Sequence, residues 1–313
     1  MLGKTAGGIY WMFRLLERNE NTARLVEAGF RIALTRSQSP VSEWKSVIKT
    51  AGVETYYEIK YGTYDATNVI DFLLRDTSNP SSVMSTIENA RTNARMVRTA
   101  LTTEVWEAVN ESWMTLKTLL NRPIQETELP TILGTIRRNC ALVRGSMYGT
   151  MLRNEIFDFA ALGIALERAD NTARIINVKY HTFIPSTDFF GSSLDDIHWE
   201  TILRSVSGYR SFGWANDNEM SASSIAEYLI LDPRFPRSLK FCYTTLIHNL
   251  DNLSRNCTAV ESCQIKANAV FTHLENNSIK SIFKYGLHSF MKDFIKETNE
   301  LGSQIELNYQ FYH

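Results

Sequence analysis

Two stretches hold most of the residues able to do chemistry. Residues 15–24 read LLERNENTAR and residues 165–174 read ALERADNTAR. Between Leu16–Arg24 and Leu166–Arg174 seven of nine positions are identical, and an eighth exchanges Glu20 for Asp170. On a helix turning about 100° per residue, Glu17, Asn21 and Arg24 lie within about 60° of one another, with Tyr10 on the same stripe two turns earlier. Glu20 and Arg24 have the favourable i,i+4 spacing. Met12, Leu15, Leu16, Ala23 and Val26 make much of the remaining circumference apolar, so the charged stripe should face other helices.

A carboxylate in such a place needs a partner, because an unpaired buried charge is costly. Two readings stay open. In one, Glu17 and Glu167 pair with arginines across packed helices, Asn21 and Asn171 complete the hydrogen bonds, and the network fixes register. In the other, the stripe is a ligand site. Arg18, Arg24, Arg91, Arg95, Arg168 and Arg174 would then turn forked donors toward a carboxylate or phosphate, joined by Asn21 and Asn171. Glu17 or Glu167 would orient them or serve as a catalytic base. Arg91 and Arg95 enter through IENARTNARMVR (Ile87–Arg98), which echoes the opening motif. A second anion-holding candidate is LDPRFPRS (Leu231–Ser238), a turn into a helix with Arg234 and Arg237 beside the helix start.

The elements that must position these residues are helices. Gly and Pro number only 15 and 7 in 313 residues, and apolar residues recur at helical spacing. Helices are expected at 9–32, 40–52, 64–76, 128–150, 153–180, 194–209, 220–231, 235–256, 259–276 and 278–310. One long helical run is expected from Pro80 to Leu120, with breaks at 121–123 and 184–186. No convincing strand is present. VIDFLLRDTSNPSSV (Val69–Val83) also matches IAEYLILDPRFPRSL (Ile225–Leu239) at an offset of 156. Two matches in the same order imply two homologous halves, 1–150 and 151–313. The expected fold is an all-α helical bundle whose halves pack about a pseudo-two-fold axis, with the two motif helices as the central pair.

Composition narrows the function classes. A hydrophobic content of 44% supports a sizeable core, and a net charge of −1 argues against a general nucleic-acid or membrane-surface binder. No stretch approaches the roughly 18 apolar residues of a spanning helix, and the opening MLGKTAGGIYWMFRLLER lacks the apolar core of a leader; a cytoplasmic protein is expected. Cys140, Cys242, Cys257 and Cys263 lack metal-site or disulfide spacing and are expected as buried thiols. No metal motif, phosphate loop, dinucleotide fingerprint or nucleophile elbow is visible, so neither metal nor cofactor is expected. Tyr10, Trp11, Phe13, Trp106 and Trp113 read as core. The tail ELNYQFYH reads either as a frayed end or as an interaction segment.

The chain resembles the alpha-E family through MLGKTAGGIYWMFRLLERNENTARLVE, ENARTNARMVR, WEAVNESW, FAALGIALERADNTARI and LDPRFPRSLKFC, which span nearly the whole sequence. The family's Glu-Arg motif falls on Glu17-Arg18 and Glu167-Arg168, and its following residues on Asn21–Arg24 and Asn171–Arg174. The resemblance implies a bacterial helical domain of unknown biochemistry. Its genes sit beside, or are fused to, a circularly permuted ATP-grasp protein, often with a transglutaminase-like peptidase and sometimes a proteasome-like hydrolase. That company implies a system that forms or trims amide bonds. This chain would then be a helical partner of the ligase, with an anionic amino-acid or peptide ligand at the Glu/Arg motif. The alternatives are an amide-forming or amide-cleaving enzyme using Glu17 or Glu167, and a purely structural subunit. The sequence departs from the family's usual pattern at Gly7-Gly8 and at MLRNEIF (Met151–Phe157), where Asn154 replaces an acid.

Overall fold

The computed structural model describes residues 1–35, 40–182, 193–216, 220–255 and 262–312. Among them are fifteen α-helices and no strand. The helices are α1 (Gly3–Thr35), α2 (Pro40–Ala51), α3 (Glu54–Lys60), α4 (Ala66–Leu74), α5 (Val83–Met96), α6 (Thr103–Leu119), α7 (Leu129–Thr150) and α8 (Glu155–Thr182). They continue as α9 (Ser193–Ser205), α10 (Tyr209–Ala215), α11 (Ala222–Leu231), α12 (Leu239–Ser254), α13 (Ser262–Asn276), α14 (Ile279–Tyr285) and α15 (Leu287–Asn308).

The two longest helices, α1 and α8, carry the repeated motif and pack against each other. Each is buried on nearly all sides, as expected of a helix whose apolar residues are not confined to one stripe. Against α1 lie α5, α7 and α2; against α8 lie α12, α15 and α2. The outer helices are amphipathic in the ordinary way. In α15, Leu287, Phe290, Met291, Phe294, Leu301 and Ile305 are buried at helical spacing, and that face packs on α8 and α13. Polar caps fix the helix starts: Asp65, Ser82, Thr102, Ser221, Ser238 and Ser278 each accept a hydrogen bond from a backbone N–H of the first turn.

α1 and α8 approach closely because Gly163 sits at their crossing. A Cβ there would stand 2.4 Å from the Tyr10 carbonyl oxygen. Gly7 and Gly8 have a similar use at the start of α1, where a side chain would meet Phe311 and Val97. The tail is therefore not frayed at Phe311, which is buried against Tyr10 and Phe159. Asn154 makes up for its missing acid in one respect: its Oδ1 accepts from the Ile156 and Phe157 backbone at the start of α8.

Several boundaries differ from the sequence reading. The expected 80–120 helix is two helices. After Arg98–Ala100, a short 3-10 turn, Leu101 is extended (φ −99°, ψ 149°), and Thr102 caps α6, which folds back along α5 and onto α7. The 278–310 run breaks at Gly286, whose φ of +104° only glycine adopts readily. The 194–209 helix ends at Ser205, and Ser207 takes φ 56° before α10 begins. Helix α12 starts at Leu239, because residues 235–238 form a turn that Ser238 closes as cap. Helix α3 was not expected. The breaks expected at 121–123 and 184–186 differ in standing: the first separates α6 from α7, and the second lies outside the described residues. No helix is long and apolar enough to cross a membrane among the described residues. Cys140, Cys242 and Cys263 are buried free thiols, and Cys257 lies outside the described residues.

Candidate functional site

The repeated Glu-Arg pairs face each other across the α1–α8 contact and exchange partners. Arg168 donates through Nε to Glu17 Oε1 and through Nη2 to Glu17 Oε2, both at 2.9 Å. Arg18 donates through Nε to Glu167 Oε1 at 2.5 Å and through Nη2 to Oε2 at 2.9 Å. Each helix thus gives one carboxylate and one guanidinium, and each pair has the two-pronged geometry that Arg–carboxylate recognition favours. Glu17 and Glu167 are 1% and 5% exposed, so both carboxylates are dry apart from these donors.

Other residues saturate them further. Arg14, one turn before Glu17, donates to Glu167 Oε2 at 2.9 Å and to the Tyr10 hydroxyl at 3.2 Å. From α7, Arg144 donates through Nη1 to Glu17 and Glu20. From the turn before α12, Arg237 donates to Asn21 Oδ1 and Glu20 Oε1, both at 2.9 Å, and its Nη2 lies 3.0 Å from Glu17. The pairs Arg24–Glu20 and Arg174–Asp170 close within their own helices at i,i+4.

Burial alone would raise both glutamates, but the surrounding guanidiniums reverse the sign. Arg168, Arg237 and Arg144 hold Glu17 far below the ordinary carboxylate range, and Arg18 and Arg14 bring Glu167 to about 2. Glu20 is also lowered despite burial and the Glu17 charge beside it. Arg237 moves the other way. Burial pulls it down to about 10, although Glu17 and Glu20 pull it back up.

The network is not neutral. Four carboxylates, Glu17, Glu20, Glu167 and Asp170, meet seven guanidiniums. The surplus is uneven. Around Glu17 and Glu20 stand Arg24, Arg144, Arg168 and Arg237; around Glu167 and Asp170 stand Arg14, Arg18 and Arg174. Two buried amide nitrogens, Asn21 Nδ2 and Asn171 Nδ2, have no acceptor among the described residues.

A cleft of 460 Å³ opens beside the Glu17 side of the network, between α10, α11 and the 232–238 turn. Arg237 and Ser207 belong to its lining and neither Glu17 nor Glu167 does. Ser207 accepts a hydrogen bond from Arg24 Nη1.

Of the residues expected from sequence, the structure brings Glu17, Glu167, Arg18, Arg168, Asn21, Arg24 and Arg174 into or beside one network. Asn171 lies next to it on α8. Arg91 and Arg95 do not join. Arg91 donates to Asn110 Oδ1 and lies 3.9 Å from the centre of the Trp113 ring, and Arg95 is exposed on α5. Sequence reasoning did not assign Arg14 and Arg144 to the network, and it placed Arg237 at a separate anion site. Arg14 had a signal, since it lies one turn from Glu17. Arg144 reaches in from α7; its one signal was Arg137 seven residues earlier, which pairs with Glu27 of the same helix α1.

No curated protein and no solved structure matches the chain. A clasp made of two Glu-Arg pairs, each completing the other across the two longest helices, accords with a family model that matches residues 1–310 and is described as a predicted alpha-helical domain with a conserved ER motif; the chain belongs to the Alpha-E family.

Proposed function

We propose that this Alpha-E chain is a helical partner of an amide-forming ligase of the circularly permuted ATP-grasp type, in a bacterial cytoplasmic system that modifies peptides or proteins. A transglutaminase-like peptidase would be a further member of that system. The ligase and the peptidase come from the family resemblance; the observation that supports a partner's role over an enzyme's is the state of Glu17 and Glu167. Both are buried, each forked by one arginine and touched by at least one more, and held ionised at a pKa far from neutrality. A catalytic base works best with a pKa near the operating pH and a free edge toward substrate. Neither carboxylate has these properties, so the arrangement favours an internal fastener over turnover by the motif.

The architecture that goes with this reading is two homologous halves, 1–150 and 151–313, packed about a pseudo-two-fold axis that passes between the two clasps. Its support is the sequence repeat together with corresponding neighbours: α5 lies on α1 and α12 on α8, each after a serine cap, Ser82 and Ser238. Asn19 of α1 donates to the Val83 carbonyl, and Thr172 of α8 donates to the Arg237 carbonyl.

The test is co-expression with a circularly permuted ATP-grasp protein from the same genome, with a tag on the ligase only. A complex of fixed stoichiometry that survives size exclusion is the expected result. A ligase that is fully active alone, and that leaves this chain monodisperse and unbound, would overturn the reading.

A further inference from the structure

The positive surplus of the buried network lies against the 460 Å³ cleft, and two donors there are unspent. Arg237 is 7% exposed and lines the cleft. Its Nη1 and Nη2 are engaged with Asn21, Glu20 and Glu17, while its Nε has no acceptor among the described residues. Ser207 Oγ accepts from Arg24, and its own proton has no acceptor among the described residues. Ser207 holds φ 56° to stand there, a conformation uncommon for any residue but glycine and asparagine. By contrast, Arg234 at the rim is forked to Asp232 through Nε and Nη2 and is 73% exposed, and Ser211 both accepts from Tyr228 and donates to the Gly208 carbonyl.

Apart from Ser211 and the Asp232–Arg234 pair, the remaining walls are apolar and aromatic. Tyr228 and Phe235 stack at 4.6 Å between ring centres, and Trp214 stands 82% exposed at the edge. Behind Arg237 stand Arg24 and Arg168, each 13% exposed, and Arg144, 24% exposed, so the cleft is one face from which a counter-ion can approach the surplus. Asp232 on the wall disfavours a dianion. A single negative charge on an apolar body matches this lining.

We infer that the cleft is a binding site for a monocarboxylate carried on an apolar or aromatic group, with the carboxylate on Arg237 Nε and Ser207 Oγ and the apolar part along Phe235 and Trp214. Such binding is a property of the chain alone. Failure to capture a ligase would leave it standing, and its own failure would leave the ligase reading standing.

The probes are 3-phenylpropionate, its neutral amide and inorganic phosphate, titrated into the full chain with NMR detection of the tryptophan indole N–H signals. The acid should saturate a shift of one indole signal that Trp214→Ala removes, and the amide should bind about ten-fold more weakly or less. Trp214→Ala, titrated beside the unchanged chain by isothermal calorimetry, should weaken the acid about three-fold or more without moving the melting temperature, since that side chain is exposed. Arg237→Lys keeps the charge but loses the Nε donor, and should weaken the acid provided the variant melts as one folded state; if it does not fold, the acid–amide comparison and Trp214→Ala decide alone. Equal binding of acid and amide, phosphate binding as tight as the acid, or no acid binding at 10 mM (about the weakest affinity that specific contacts of this kind give) would overturn the assignment.

Discussion

Glu17 on α1 and Arg168 on α8 meet fork to fork, two hydrogen bonds of 2.9 Å between atoms that are 151 positions apart in the chain. Both side chains are nearly dry, at 1% and 13% exposure. The pair therefore cannot be judged as a surface salt bridge, which is worth little. Losing one partner would leave the other's charge stranded. Glu17→Gln should destabilise by about 3–5 kcal/mol, because Arg168, Arg144 and Arg237 all lose their shared anion. Urea unfolding with an unchanged m-value would measure it. A loss below about 1 kcal/mol would mean that the clasp does not hold the helices together.

The same charges set an acid limit. Glu167 has an ordinary value of 4.5 and a folded value of about 2. A carboxyl with a depressed folded pKa contributes stability above its unfolded pKa, and that contribution disappears as pH falls toward the folded value. Stability should therefore be level near neutrality and drop from about pH 5 to about pH 2, by roughly 3 kcal/mol from this group alone. Glu17 adds a drop of the same sign. Melting temperature against pH is the measurement, and Glu167→Gln should flatten the curve.

Gly163→Ala tests the helix crossing without touching a charge. The new Cβ would lie 2.4 Å from the Tyr10 carbonyl oxygen and 3.2 Å from the Arg14 nitrogen, both backbone atoms. Neither can swing aside, so α1 and α8 must separate. The expected cost is about 2–3 kcal/mol or more, and a crystal structure should show the Arg14–Glu167 and Arg18–Glu167 bonds lengthened.

Arg91→Ala is the control. Its guanidinium stacks on Trp113 and bonds Asn110 at a partly exposed site far from Glu17 in the pairing scheme. A loss of about 0.5–1 kcal/mol is expected, with the acid profile unchanged. A change in that profile would tie Arg91 to the network after all.

What could be read from the sequence follows from periodicity and repetition. The all-helical class and the joint use of Glu17, Arg18, Glu167 and Arg168 were legible, because a charged string repeated inside two apolar helices needs partners. The exchange of partners was not, since nothing in LERNENTAR says whether Arg18 serves its own helix or the other. Arg91 and Arg95 were drawn in by a local echo of Asn-Ala-Arg, yet α5 turns those arginines to its outer side. Arg144 was missed because α7 carries three arginines, Arg137, Arg138 and Arg144, and nothing in the sequence singles out the one that reaches Glu17 and Glu20. The break at Leu101 was missed for a different reason: TALTTE contains a good helix start at Thr102, but only the packing of α6 on α5 and α7 makes the chain use it.

The crossed clasp has a bearing on assembly. Its rule is that glutamate on one helix meets arginine on the other and the reverse holds one residue along, which is the reciprocity of a symmetric dimer contact. A helix bearing a single Leu-Glu-Arg is therefore complementary to an identical copy of itself, and two separate chains could form both forks. Here the two halves of that matching are carried by one chain, so helix α1 has its counterpart at hand at every protein concentration.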